Sequence, residues 1–498
     1  MISSQIYGLI PQRHRWWSLA VVSLGTFMVT TDIGLLSIAL PVITTDLHAD
    51  LALAGWIALI YALVTASLYL PCGRLSDMIG RAKVYRVGFF LYAATSLIAG
   101  FAQDAWQLIF LRGFQAIGSA LVMTNSFAMV AAIFPPEERG RAMGIAGGTV
   151  SALRYTLGPV IGGILTYTLG WRSNFFLTSL LSFIGFLAAY HLLRDDTDGP
   201  EREGAKESFD FAGAVSCALA MCALLLGLTA GQRSGWTNVL ILSELGLGLA
   251  TLVFFIWWEA RRRFPLLDLR LFQIRAFTYG NIARLISFMV ISLSNLVMPF
   301  FLQLAMGLDP LRAGLLVAPT PLALALLAPL AGWLSENVSA RLLTAVGLTV
   351  KAVACVLLAY VSVTASSFDL VLRLGLLGLG LGIFQTPNNN SLMSSIPRER
   401  LGVGSSFLSV VRSLGHSAGT ALATAIISAR LLAVTGGDAI DDLKGATSMG
   451  AGAVLPAFME GLRYAFLTAA ALCVVGAVIS ALSGEIIQSK PARASTIR

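Results

Sequence analysis

Charge is scarce in this chain. Of 498 residues, 12% are Asp, Glu, Lys or Arg and 56% are hydrophobic, whereas a soluble globular chain carries roughly 25% charged residues. So little charge cannot wet the surface of a chain this long, and much of that surface is expected to face lipid. Histidine is scarcer still, with four residues. There is no His-Glu-x-x-His zinc pattern, no Gly-x-x-x-x-Gly-Lys-Ser/Thr phosphate loop and no credible nucleophile–His–acid set. An enzyme, a metal site, a cofactor and direct use of ATP are therefore not expected. The five cysteines (Cys72, Cys217, Cys222, Cys355 and Cys473) are odd in number, form no Cys-x-x-Cys and fall in or at the ends of apolar runs, which argues against a disulfide framework. The N-terminus also lacks a short apolar stretch followed by a cleavage site. Its first apolar run is long enough to span, so it is expected to be retained.

What the chain has in abundance is apolar runs. A membrane-spanning helix needs about 20 mostly apolar residues, and fourteen segments meet that need: 16–43, 51–72, 82–101, 105–134, 142–169, 172–193, 211–231, 238–260, 276–304, 312–335, 340–363, 368–395, 402–432 and 462–485. Gly and Pro within them are no objection in a membrane helix. The net charge of +8 comes from basic residues in the short connections, so it reads as topology and gives no expectation of a nucleic-acid partner. Alternate connections carry most of it, among them Arg74, Arg81, Lys83 and Arg86; Arg139 and Arg141; Arg261, Arg262 and Arg270; Arg398 and Arg400. The opposite loops hold only Arg172, Arg233, Arg312, Arg373, Arg430, Lys444 and Arg463. The basic set is expected in the cytoplasm, which places both termini there and requires an even number of spans.

Composition divides the chain further. Residues 1–193 form a first six-span bundle, and 194–210 is a polar, charged cytoplasmic linker. Residues 211–260 hold two extra central spans, and 261–275 is a basic cytoplasmic connector. Residues 276–485 form a second six-span bundle, and 486–498 a cytoplasmic tail. Two six-helix halves fit the parallel-repeat architecture of one large transporter class. Val434–Glu460, rich in Gly, Ala and acid, is expected to be an outward loop.

Several motifs carry chemistry. Between spans two and three lies Gly73-Arg-Leu-Ser-Asp77-Met-Ile-Gly80-Arg81-Ala-Lys83. Gly73 and Gly80 suit a tight turn and close backbone approach, and Asp77 can take a helix N-terminus or Arg81 in one conformation, so this is a candidate cytoplasmic gating loop. The segment is similar to the major facilitator signature GxLaDrxGrk, with Met78 in place of the usual basic residue. Span four carries Arg112-Gly-Phe-Gln115-Ala-Ile-Gly118 and resembles that family's Arg-containing fourth helix. Span five carries Gly158-Pro159-Val-Ile-Gly162-Gly163 and resembles its antiporter motif, in which Gly-Pro kinks the helix and small residues allow close packing, here expected against the second half. Span one, Asp32-Ile-Gly-Leu-Leu-Ser37-Ile-Ala39-Leu40-Pro41, is similar to the DxTxxNxALP pattern of the fourteen-helix drug:proton antiporters, with Gly34 and Ser37 as departures. Trp56, Tyr61, Gly170-Trp171-Arg172, Pro387-Asn388 and Arg412-Ser-Leu-Gly415 add matches along nearly the full length. The resemblance implies an all-α membrane fold of two six-helix bundles plus two extra helices, working as a monomer by alternating access.

Ionisable residues inside a membrane are costly and are functional hypotheses by default. Those read as deep are Asp32, Arg112, Arg154, Arg284, Lys351 and Arg412. At about 1.5 Å of rise per residue, Asp32, Arg112 and Arg154 fall near mid-membrane, and in the resembling family their helices surround a central cavity. Asp32 is the one deep acid. Two roles fit it: a proton-coupling carboxyl, or the fixed half of an Asp–Arg pair. Arg154 stands where the antiporter motif usually has Gly. It serves either as a counter-ion for Asp32 or as a clamp for an anionic substrate. Arg284 and Arg412 add positive charge. Arg112, Arg154, Arg284, Arg412 and Gln115 are the candidates for cavity charge and substrate contact; snorkelling to the interface also fits Arg284, and either snorkelling or a structural role fits Lys351. Gln115, Asn125, Asn295, Gln303, Gln385, Asn388 and Asn389 suit either a cavity lining or interhelical hydrogen bonds.

The resemblance implies a secondary active transporter in the cell membrane that exports amphipathic or lipophilic small molecules at the expense of a proton gradient. Its partners are then the substrate, protons and lipid. One deep acid set against several deep arginines leaves a second reading open, a carrier of an anionic amphipath. A membrane receptor or scaffold without transport is the reading from another class.

Overall fold

The computed structural model describes residues 12–49, 51–193, 209–234, 238–262, 264–335, 338–435 and 451–483. Among them every regular element is helical, and they run as fourteen successive units: α1 Gln12–Asp46, α2 Leu51–Ile79, α3 Arg81–Ala99, α4 Ala105–Ile133, α5 Pro136–Met143 continuing as Val150–Leu169, α6 Arg172–Leu192, α7 Phe211–Ser234, α8 Val239–Glu259, α9 Arg275–Phe300, α10 Pro310–Val317 continuing as Pro319–Leu334, α11 Ala340–Ala359, α12 Ser367–Ser394, α13 Leu401–Thr435 and α14 Ala451–Ala481. By length and hydropathy 11 of the described helices qualify as spans. The units that fall short are α3, α5 and α13. Arg81, Lys83 and Arg86 crowd the first turns of α3, α13 is diluted with Gly and Ser, and within α5 the apolar stretch described is the shorter Val160–Leu169.

The two bundles repeat one packing plan. In the first, α1 packs on α5 and α6, α3 on α4 and α6, and α2 on α4. Eight units later the same contacts recur: α9 on α13 and α14, α11 on α12 and α14, and α10 on α12. Small residues set the closest crossings. Where α3 crosses α4, a Cβ on Gly118 would lie 2.9 Å from the Gly88 carbonyl oxygen. Where α11 crosses α12, a Cβ on Gly347 would lie 2.8 Å from the Gly380 carbonyl oxygen. The repeat therefore extends to the backbone contact that only glycine permits. The two extra helices, α7 and α8, pack on each other, and α7 lies against both α2 and α13, across a seam between the bundles.

Two expectations need correction. A π-helical turn at Gly144–Thr149 precedes the Gly158–Pro159 motif in the fifth span, and helix is continuous through the motif. Gly144 and Gly148 are pressed against Ala328 of α10, so the wide turn seats this segment on the second bundle. The motif glycines further along α5 pack on α1 within their own half, not on the second bundle. Positions for a Cβ on Gly158 and Gly162 lie 3.2 Å from the Thr31 carbonyl oxygen and 2.8 Å from the Leu35 Cα. The last helix begins at Ala451, inside the segment expected to be a loop, because Gly450–Gly452, Pro456 and Glu460 mask an otherwise apolar stretch. Glu460 meets Arg430 of α13 at 3.7 Å.

At the end away from the Gly73–Lys83 turn, the first bundle closes on Asp46. Its carboxylate accepts from Trp171 Nε1 at 2.9 Å and Arg172 Nη1 at 2.7 Å. These bonds hold its carboxyl below the usual carboxylate range.

The glycine crossings make a sharp test. Gly118→Val drives a branched side chain into the α3 backbone and should cost about 1–3 kcal/mol, read as a lower melting temperature in detergent. Gly375→Ala, at a position with nothing within 4 Å, should leave melting unchanged or slightly raised.

Candidate functional site

The site is built from four helices of the first bundle and two of the second. α4 begins at Asp104, whose side chain caps Gln107 N at 2.8 Å. Two turns in, it carries Arg112, 1% exposed. A buried guanidinium needs an opposite charge and several acceptors. Arg112 finds both: Nη1 donates to Asp32 Oδ2 of α1 at 2.5 Å and to Gln115 Oε1 at 2.7 Å. Gln115 Nε2 reaches Ser96 Oγ of α3 at 2.8 Å and Asp32 Oδ1 at 3.4 Å. The guanidinium carbon lies 4.2 Å from the centre of the Tyr61 ring on α2, a cation–π contact. Tyr61 in turn donates to Ser119 Oγ at 2.9 Å. Asp32, Arg112 and Gln115 thus come together as one buried cluster at the centre of the first bundle.

Tyr61 also lines a cavity of about 540 Å³, within the usual range for small-molecule pockets. Its wall is mostly apolar: Val29 of α1; Leu59, Leu63 and Ala66 of α2; Met123 of α4; Leu225 of α7. Its polar lining comprises Thr30, Tyr61, Thr65, Tyr69, Ser119, Thr229, Asn295, Arg412, Ser413, His416 and Ser417. Arg412 is the permanent charge on this lining, and no carboxylate stands among these residues. Its Nη2 lies 3.4 Å from Tyr69 Oη. Tyr61 and Tyr69 are two helical turns apart on α2, so one face of that helix meets both arginines.

On the turn side the cavity is floored by direct contact between the bundles. Asp77 Oδ1 accepts from Gly402 N at 2.8 Å and Oδ2 from Val403 N at 2.9 Å, the first N–H groups of α13. Arg81 Nη2 holds the same carboxylate at 3.1 Å. Asp77 therefore takes both partners proposed for it, the helix N-terminus and Arg81, in one state. Gly73 and Gly402 make the approach possible, since a Cβ on Gly73 would fall 2.7 Å from the Gly402 carbonyl oxygen. Gly80 turns the chain with φ 109, in the region that favours glycine. The Lys83 side chain is exposed in the first turn of α3. Beside this tie, Arg139 Nη1 reaches Ser394 Oγ at 3.2 Å, Gln385 Nε2 reaches the Gly147 carbonyl at 2.9 Å, and Thr149 Oγ1 the Ala325 carbonyl at 3.0 Å.

The remaining candidates divide. Arg284 is 1% exposed and turns inward, bonding Leu408 O at 3.1 Å and Asn389 Oδ1, so it does not snorkel. Lys351 is also fully buried and donates to the Ser287 carbonyl and hydroxyl oxygens, each at 2.8 Å; it ties α11 to α9. Asn295 lines the cavity, Asn125 bonds the Leu121 carbonyl of its own helix, Asn388 bonds the Gly280 carbonyl, and Gln303 is exposed. Gly163 stands beside Ile38 of α1. The side chains of Arg154 and Pro159 lie outside the described residues, although both positions belong to α5. Sequence reasoning gave no role to Tyr61, Tyr69, Ser119 or the α7 residues Leu225 and Thr229. The spacing of Tyr61 and Tyr69 on one helical face was the available signal for the tyrosines; the α7 residues left none.

Residues 22–420 match the model of the family described as the Major Facilitator Superfamily. The chain is similar to the riboflavin transporter RibZ of Clostridioides difficile, 30% identical over 412 residues that cover 82% of this chain and 87% of that one. It is similar to the multidrug resistance protein Stp of Mycobacterium tuberculosis, 29% identical over 84% of this chain and 77% of the other. Its fold is that of the human organic anion transporter MFSD10, with a TM-score of 0.64 at 16% identity over 95% of this chain and 100% of that one.

The geometry makes two predictions. Arg112→Gln leaves a buried carboxylate without its cation and should cost about 3–5 kcal/mol, whereas Asp32→Asn combined with Arg112→Gln should recover most of that loss; thermal melting of the four proteins of this cycle measures it. Asp77→Ala uncaps α13 and should weaken closure of the turn side by about 1–2 kcal/mol, roughly a ten-fold shift toward separation. Spin-label distances between the turn-side ends of α2 and α13 report it.

Proposed function

This chain belongs to the Major Facilitator Superfamily, and from that premise we propose that it is a proton-coupled secondary transporter that exports amphipathic or lipophilic compounds. The observation that carries the proposal is the buried Asp32–Arg112 pair at 2.5 Å, whose guanidinium lies against the ring of Tyr61, a residue of the cavity lining. A proton arriving on Asp32 discharges the pair and frees Arg112. Arg112 lies against Tyr61, and Tyr61 lines the cavity, so the protonation state of Asp32 is felt where the substrate sits. The excess of basic residues in the connections on the side of the Gly73–Lys83 turn supports a cytoplasmic position for that turn. The state described is then closed to the cytoplasm, with its cavity toward the outer half. Multidrug and riboflavin carriers among the relatives agree with a flat or amphipathic cargo, and the apolar, tyrosine-lined cavity suits one.

One observation favours a second reading. The charge on the described lining is Arg412, and a cationic drug would meet it without any carboxylate. An anionic amphipath would pair with it. On this reading the same fold and coupling site carry a negatively charged headgroup with an apolar tail.

Substrate-driven proton movement in proteoliposomes tests the coupling. With the wild-type chain, export of a carried compound should be accompanied by proton flux in the opposite direction. Asp32→Asn should abolish gradient-driven transport and spare exchange at equal concentrations on both sides. Gradient-driven transport that survives in Asp32→Asn would remove Asp32 from the mechanism.

A further inference from the structure

Arg284 has no part in the mechanism above, yet it is a costly residue to bury. Among the described residues no ion pair joins it to a carboxylate; its Nε and Nη1 are held by neutral oxygens, of Leu408 and Asn389, and its guanidinium carbon lies 5.0 Å from the Phe288 ring centre. The charge is permanent and, among the described residues, is met by neutral oxygens and the Phe288 ring. The neighbouring amide is incompletely bonded as well, since Asn389 Nδ2 is fully buried and has no hydrogen-bond partner. A guanidinium without a counter-ion beside a free amide N–H is a donor set without its anion.

Its place along the bundle is specific. Arg284 bonds the Leu408 carbonyl, and Arg412 follows four residues later on α13, about 6 Å of helical rise toward the cavity. The two arginines are steps on one ladder, the upper in the cavity wall and the lower sealed beneath it. The lower step lies at the seam between the bundles. A Cβ on Gly147 of the π-turn would stand 3.2 Å from Asn389 Nδ2, and Gln385, one turn along α12, bonds the Gly147 carbonyl. Separation of α5 from α12 breaks that bond and uncovers Asn389 and Arg284 from the turn side.

We propose that Arg284 and Asn389 form a second anion subsite, used when the turn side opens, and that a carboxylate or phosphate headgroup passes from Arg412 to Arg284 during transport. The proposal rests on the anionic-amphipath reading of the cavity. No covalent step is involved. The headgroup exchanges one guanidinium for another as the seam opens, and its apolar tail stays against the α2 and α4 wall.

The test uses the full-length chain in nanodiscs and proteoliposomes, with laurate and dodecyl phosphate as anionic probes and dodecyltrimethylammonium as the cationic one. Arg412→Gln should weaken binding of both anions at least about ten-fold. Arg284→Gln should leave their binding within about two-fold, because the turn side is closed, yet lower their turnover at least about ten-fold, with part of that turnover restored in Arg284→Lys. Normal anion turnover in Arg284→Gln overturns the relay and leaves the anionic reading of the cavity intact. Joint loss of anion binding, turnover and melting temperature in both Arg284 variants also overturns it, and makes Arg284 a structural tie between α9 and α13. Equal binding of the anions and the cation by the wild-type chain, unchanged in Arg412→Gln, overturns the anionic reading and the relay with it.

Discussion

One carboxylate ties the end of α2 to the start of α13 and so joins the two bundles on the turn side. Asp77, at the end of α2, caps two backbone N–H groups at the start of α13 and is steadied by Arg81 one turn away. Charge-assisted bonds from a helix N-terminus are strong where water is scarce, and this one crosses between the bundles beside the packing of Gly144 and Gly148 on Ala328. Much follows from it. With Gly73 against Gly402, the helices converge on the turn side, and so a cavity is left further along, where α1, α2 and α4 face α9 and α13. The contact is also reversible, because it involves one side chain and two backbone groups. A covalent or broadly apolar seal would not have that property.

The second constraint is electrical. Asp32 and Arg112 neutralise each other in the first bundle, and their geometry is completed by Gln115, Ser96 and Tyr61. The second bundle repeats the helix packing without repeating this neutrality. Its buried cations Arg284 and Lys351 are held by carbonyl, amide and hydroxyl oxygens. A neutral ion pair thus lies in the core of one half, and buried cations held by neutral oxygens lie in the other. The cavity between them is lined by Tyr61 on the first side and by Arg412 on the second. On the proposed function, the first half would sense protons and the second would meet the substrate's charge.

Much of this was legible in the sequence. The apolar runs and the Gly73–Lys83 motif pointed to a fourteen-helix, two-bundle membrane protein, and counting deep charges singled out Asp32, Arg112, Arg154, Arg284, Lys351 and Arg412, of which the Arg154 side chain lies outside the described residues. What was not legible depends on distance in the chain. Nothing local to Asp77 says that its partners are the N–H groups of Gly402 and Val403, which come from a backbone position and not from a residue type. The antiporter-like glycines show by their size that something packs close, but not that it is α1. The π-turn at Gly144–Thr149 was hidden because three glycines in six residues read equally as flexible packing. Arg284 and Lys351 looked free to snorkel because apolar stems are common to both outcomes; the inward choice depends on Asn389, Leu408 and Ser287, which other helices supply.

The proposed proton coupling requires that discharge of Asp32 release the Asp77 tie on the turn side. Distances between spin labels on the turn-side ends of α2 and α13, followed as the pH is lowered in the absence of substrate, test it most directly. The account predicts that acid shifts the wild-type distribution toward separated ends, and that Asp32→Asn shows that distribution at every pH. An Asp32→Asn protein whose distances respond to pH as the wild type does would contradict it.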